Sequence, residues 1–204
     1  LQGMVFSFSN IFIQSSINKF GAQAIAGSAA ALTYEAYCYY IVTAFCAATI
    51  AFAGQNYGAG HDDRCRRVFR ICMTMALVGC AAANWAIVWQ SRACIGVFSD
   101  DPEVYRYAAM RLRTVLAWQF LASTYEIAGA YMRGLGYSML PMLLTVFGTC
   151  VLRLAWVFTV VPRYMDFELL LSIYPISWIV TGVLVMTAAF IVQKRAFALH
   201  QSRA

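Results

Sequence analysis

Three ionisable side chains sit where an apolar chain has no ordinary use for charge. Glu35, Glu126 and Arg153 each interrupt a run otherwise free of Asp, Glu, Lys and Arg. Such a group at the centre of a bilayer costs roughly 2.5 to 3.5 kcal/mol, against a gain of about 0.3 to 0.6 for a good apolar residue, so none is expected to face lipid. Each must face a helix bundle or a wet cavity, either as a helix-linking Glu to Arg pair or as a proton or cation site; for Arg153 alone the structural role is the simpler reading. A polar stripe runs beside them: Gln2, Phe6, Asn10, Gln14 and Asn18 recur every four residues along one side of a helix. These amides either hydrogen-bond between helices or wall a cavity. Gln119, Ser123, Glu126 and Ala130 share a second face at helical spacing, which surrounds the acid with small and polar groups. Aromatics are dense near both acids: Tyr34, Tyr37, Tyr39 and Tyr40 by Glu35, and Trp118, Phe120 and Tyr125 by Glu126. Most of these fit ordinary packing or an interface belt, and some could offer a face to a cationic ligand.

The elements that must hold these residues are membrane spans. The chain is 62% hydrophobic and only 12% charged, where soluble domains carry about a quarter charged residues, so it reads as an integral membrane protein. Between Glu35 and Asp62 there is no charged residue at all. Since roughly 20 helical residues cross the hydrocarbon, that stretch spans with residues to spare. Counting the apolar runs gives an all-α bundle of six spans, at about residues 1–18, 22–55, 71–91, 113–132, 141–161 and 169–193. Closed helices of this kind satisfy every backbone group within the span. Arg64, Arg66, Arg67 and Arg70 follow the second span, and such clusters stay cytoplasmic. With that end inside, the inner side also collects Arg133, Lys194, Arg195 and Arg203, against Lys19, Arg92, Arg106 and Arg163 outside, with Arg111 and Arg113 at a helix start. Both ends of the segment are therefore expected inside. On the outer side, Asp101, Pro102 and Glu103 read as a helix start, with Asp101 as the N-cap and Pro102 in the first turn. The first turns after it, around Tyr105 to Arg113, are expected at the membrane interface.

Several chemistries are disfavoured by the same residues. The net charge of +6 comes from groups at the ends of apolar runs, not from a basic face interleaved with aromatics, so no nucleic-acid partner is expected. The seven cysteines contain no C-x-x-C and mostly lie inside apolar runs, as small hydrophobes. The glycine-rich stretch from Gly54 to Gly60 lacks the G-K-[ST] ending of a phosphate loop. His61 and His200 stand apart, and the pairs Asp62, Asp63 and Asp100, Asp101 fall on opposite faces of the membrane. No His, Asp or Cys set converges, so an enzyme is not expected. No signal peptide is evident, and the chain reads as a piece of something longer.

Specific motifs then add a likeness. Gly54, Gln55, Asn56, Tyr57, Gly58 and Ala59 follow a long span; Phe98, Asp101, Pro102, Glu103 and Val104 form an outer loop; Arg133, Gly134, Leu135, Gly136, Tyr137, Ser138, Pro141 and Met142 precede Arg153. In this order the chain, from about residue 2 to 193, resembles the C-terminal half of the multidrug and toxic compound extrusion (MATE) transporters of bacteria. The resemblance implies one lobe of a two-lobe transporter, its partner an N-terminal six-helix lobe and the lipid bilayer, set in a bacterial inner membrane. It implies a cation-coupled antiporter, using Na+ or H+ and no other cofactor, that exports small organic compounds, cationic or amphiphilic. Glu35 and Glu126 would be the coupling acids and the ligands of any Na+. Asn10, Gln14, Tyr34, Gln119, Ser123 and Arg153 would line the substrate cavity. Many relatives carry an acid where this chain has Cys150, which leaves Glu126 as the expected partner of Arg153. The alternative within the superfamily is a flippase for lipid-linked oligosaccharides, whose cavity should be richer in Arg and Lys than a single Arg153.

Overall fold

The computed structural model describes the backbone of residues 2–201 and the side chains of residues 9–199. Every regular element among them is helical. Helix α1 (Gln2–Asn18) turns at Gly21, whose φ of 96° is open to glycine, into α2 (Ala22–Gly58), which at 37 residues is about 56 Å long. A tight turn with Gly60 at φ 74° leads into α3 (Asp62–Trp89), and the short α4 (Ser91–Gly96) follows. The fourth span is one interrupted rod: α5 (Pro102–Thr114), a 3-10 segment (Leu116–Leu121) and α6 (Ala122–Gly134). The fifth is α7 (Met139–Thr145), a π segment (Val146–Val151) and α8 (Leu152–Thr159). Helices α9 (Phe167–Leu171) and α10 (Ile173–Gln201) close the chain.

The all-helical membrane architecture agrees with the hydropathy, but six unbroken spans are not what forms. Among the described residues, four helical stretches are long and apolar enough to cross a bilayer: Ala22–Gly58, Asp62–Trp89, Met139–Thr159 and Phe167–Leu199. The first helix has 17 residues, and the stretch around 113–132 is broken by the 3-10 segment and carries charge at its start. The arginine burst is also placed differently from a loop. Arg64, Arg66, Arg67 and Arg70 lie in the first turns of α3, because Asp62 and Asp63 already favour the positive end of that helix. The N-cap reading holds: Asp101 Oδ1 accepts from the Glu103 amide at 2.8 Å, with Pro102 in the first turn. Asp166 does the same for α9, accepting from the Leu169 amide at 2.8 Å.

Helix α2 is the central element and packs on α3, α5 and α6. Two small-residue crossings let it approach. A Cβ on Gly27 would lie 2.7 Å from the Val104 carbonyl and 2.9 Å from the Ala108 amide of α5; one on Gly134 of α6 would lie 3.0 Å from the Ala53 Cβ and 3.1 Å from the Ile50 carbonyl. Small residues at such crossings are what membrane helices use in place of a hydrophobic drive between them. The buried core joins Ile127, Tyr131 and Met132 of α6 to Val185, Ala189 and Val192 of α10. Outward-facing Ile71, Met75, Val78, Trp85, Val183 and Phe190 stay exposed, as expected of side chains that meet lipid. Gly27→Val should therefore lower the melting temperature of the purified protein, by a cost of about 1 to 3 kcal/mol for forcing two backbones apart. Gly58→Ala, where nothing lies within 4 Å of the added carbon, should not.

Candidate functional site

The interruptions of the helices sort the polar groups. Gln119 and Glu126, seven residues apart, lie within roughly 20° of one another with or without the break, whereas the 3-10 turn, about 120° per residue instead of 100°, carries Ser123 from about 40° to about 80° away from Gln119. The expected face of Gln119, Ser123, Glu126 and Ala130 is thus split. Gln119 and Glu126 line a shared cavity, whereas Ser123 and Ala130 are fully buried in protein. On the fifth span, the π segment directly precedes Arg153 and sits where Gly148 lets the backbone pass close to Thr181 of α10. Such bulges recur at functional sites because they re-aim a side chain without ending the helix.

The cavity has a volume of about 940 Å³. Helix α1 contributes Asn10, Ile11 and Gln14; α2 contributes Leu32, Glu35 and Tyr39; Arg111 comes from α5 and Gln119 from the 3-10 segment. Ala122, Tyr125, Glu126 and Arg133 of α6 face Arg153 of α8 and Tyr174 and Trp178 of α10. Six of the eight residues expected from sequence therefore meet at one cavity: Asn10, Gln14, Glu35, Gln119, Glu126 and Arg153.

Tyr34 does not. Its hydroxyl donates to the Cys94 carbonyl at 2.9 Å and its ring packs edge-on against Phe98, so it ties α2 to α4. Tyr37 and Tyr40 are exposed, and of that tyrosine group Tyr39 alone reaches the cavity. Of the amide stripe, Asn10 and Gln14 line the cavity and Gln14 donates to Asn18 within the same helix at 3.3 Å, while the side chains of Gln2 and Phe6 lie outside the described residues.

The charge pairing differs most from expectation. Glu126 is not the partner of Arg153: its Oε1 accepts from the Tyr39 hydroxyl at 2.8 Å, and it forms no ion pair among the described residues. The buried ion pair is Glu35 with Arg111. Arg111 Nε donates to Glu35 Oε1 at 2.6 Å and Nη2 donates to Oε2 at 3.1 Å, with Arg111 only 1% exposed. Gln119 Nε2 braces the same turn by donating to the Glu35 backbone carbonyl at 2.9 Å. Arg111 is thus a deeply buried residue and not an interfacial one. The signal was present, since Val104, Ala108, Arg111 and Val115 lie at helical spacing along the buried stripe of α5. Arg153, 4% exposed, donates from Nε to Ser177 Oγ at 3.1 Å and lies over the Tyr174 ring at 4.5 Å. Arg111 meets that same ring at 5.6 Å. Arg133, read from sequence as a loop charge, ends α6 and lines the cavity too.

Long apolar helices around a charge-lined cavity define a helical membrane protein with a polar interior cavity. The chain belongs to the MatE family, whose model matches residues 1–159. It is 28% identical over 127 residues to the probable multidrug resistance protein NorM of Aromatoleum aromaticum, which covers 62% of this chain and 27% of that protein. With the protein of the same description from Thermotoga maritima it shares 21% identity over 170 residues, 83% of this chain and 36% of the relative. The crystal structure of MATE in the bent conformation superposes with a TM-score of 0.88 at 15% identity, over 98% of this chain and 44% of that one. The chain thus spans less than half the length of the proteins it matches. MatE proteins are membrane transporters.

The pairing makes a sharp prediction. Glu35→Gln or Arg111→Met alone should strand a buried charge at a cost of about 3 to 5 kcal/mol, while the double variant Glu35→Leu with Arg111→Met should recover most of the lost thermal stability.

Proposed function

We propose that the chain is the C-terminal lobe of a cation-coupled antiporter that exports small organic compounds, cationic or amphiphilic, across a bacterial inner membrane. The observation that supports this most is a carboxylate with one open oxygen facing a solute-sized cavity: Glu126 holds Tyr39 with Oε1, and its Oε2 has no hydrogen bond among the described residues. A proton, a sodium ion or the cationic part of a substrate can each neutralise that oxygen, and only one can do so at a time. Competition for a single charge is what exchange requires, because each ligand then favours the state from which the other has left. Gln119, on the same side of the cavity, donates its amide nitrogen to the Glu35 carbonyl and keeps its Oε1 buried without a partner. Glu35 has both oxygens taken by Arg111, so in this reading it is open to a cation only when Arg111 releases it.

An N-terminal six-helix lobe of the same transporter closes the cavity from the other side, at the interface between two repeat-related halves where such sites form. Both ends of this segment lie in the cytoplasm. At about 42 Å, α3 alone carries the chain from one membrane face to the other. In a cysteine-free background, Asp101→Cys should react with an impermeant reagent on intact cells and Asp63→Cys should not; the reverse labelling would overturn the orientation.

The flippase reading has one observation in its favour, which is that three arginines line the cavity where sequence suggested one; Glu35 already neutralises Arg111, which leaves two. For the antiporter, Glu126→Gln in the full-length protein should express and melt near normally yet lose gradient-driven export by about tenfold or more. Undiminished export by that variant would sink the assignment of Glu126. Failure of the unaltered transporter to move any organic solute against a Na+ or H+ gradient would sink the antiporter itself.

A further inference from the structure

The charges that line the cavity do not balance. Two carboxylates, Glu35 and Glu126, face three guanidiniums, Arg111, Arg133 and Arg153. Glu35 cancels Arg111. Arg153 is buried to 4% exposure on the cavity wall, and its single hydrogen bond among the described residues runs from Nε to a neutral hydroxyl, Ser177 Oγ. That leaves its two terminal nitrogens without an acceptor. The Tyr174 ring holds the guanidinium plane at 4.5 Å, fixing a planar donor fork instead of letting a flexible cation swing to solvent. A buried charge is stable only when paired, so the site calls for an anion with two oxygens.

Resting on the antiporter reading above, we propose that Arg153 is an anion subsite on the cavity wall: the solute carries a carboxylate or phosphoryl group in addition to its cationic part. The open oxygen of Glu126 takes the ammonium or N–H end, and the fork of Arg153 takes the oxyanion. The favoured solute is a zwitterionic amphiphile, for which desolvation of each end is offset within one cavity. A simple organic cation satisfies Glu126 and leaves Arg153 bare.

The test uses the full-length transporter in proteoliposomes with a pair of fluorescent probes, a rhodamine with a free carboxylate and its methyl ester, which differ in that one charge. The unaltered protein should bind and export the free acid at least about tenfold better than the ester, and Arg153→Gln should erase that preference, bringing the ratio of acid to ester down to about one. Arg153→Lys, which keeps the charge and loses the fork, should fall between them. A short-chain isoprenyl diphosphate competing against the free acid decides the source of the anion: displacement assigns the subsite to a phosphoryl headgroup, and its lack to a carboxylate solute. Equal handling of acid and ester by the unaltered protein, or binding of neither, overturns the subsite whatever the variants do. In the first case export of both probes would leave the antiporter reading standing, so the two failures are distinguishable.

Discussion

The bidentate pair between Glu35 and Arg111 is the constraint around which the rest of the helices are arranged. A charge at membrane depth has no water to fall back on, so each partner makes the other tolerable only while α2 and α5 stay in register. The closeness of those helices at Gly27 holds the register from one end. Gln119 holds it from the other by bonding the Glu35 carbonyl, which anchors the 3-10 segment to α2. The break in the fourth span is therefore tied to the ion pair and not an isolated defect.

Glu126, on the same side of the span as Gln119, faces the cavity and meets Tyr39, one turn beyond Glu35 on α2. The two acids on neighbouring elements then have different fates. One is neutralised by a fixed guanidinium and braces the fold; the other keeps an oxygen open toward the cavity. Pairing both acids would leave the cavity no open carboxylate, and pairing neither would leave two buried charges uncompensated. Tyr174 links the second half of the site to the first, because Arg111 and Arg153 both stack on its ring. A displacement of α10 would be felt at both guanidiniums, and α10 also carries the Ser177 that holds Arg153.

The segmented fourth and fifth spans have the same physical meaning. Irregular backbone is costly in lipid and tolerated where it borders protein or a wet cavity. Here both irregular segments adjoin cavity-lining residues: Gln119 within the 3-10 segment, and Arg153 just after the π segment. Neither break contains a proline, so tertiary contacts hold them, notably Gly148 against Thr181 and Gly182 against Thr124.

How much was written in the chain can be judged residue by residue. Hydropathy alone settles that the chain is a helical membrane protein, since long uncharged runs have no other stable state in lipid, and Asp101 with Pro102 marks a helix start through purely local chemistry. Local spacing also picked out Asn10, Gln14, Glu35, Gln119, Glu126 and Arg153 as polar groups that must avoid lipid, and the family resemblance is what named them as site residues. What spacing cannot supply is the partner. Arg111 lies 76 positions from Glu35 and Tyr39 lies 87 from Glu126, so those bonds exist only once the helices have packed. Periodicity also assumes an unbroken helix of 3.6 residues per turn, and it failed at Ser123, where a few tighter residues shift the phase by tens of degrees. The sequence by itself determined the solvent, the helices and the list of residues that must avoid lipid. Tertiary packing alone decided which charges cancel and which remain open to a solute, because pairing at membrane depth depends on a few ångströms between helices distant in sequence.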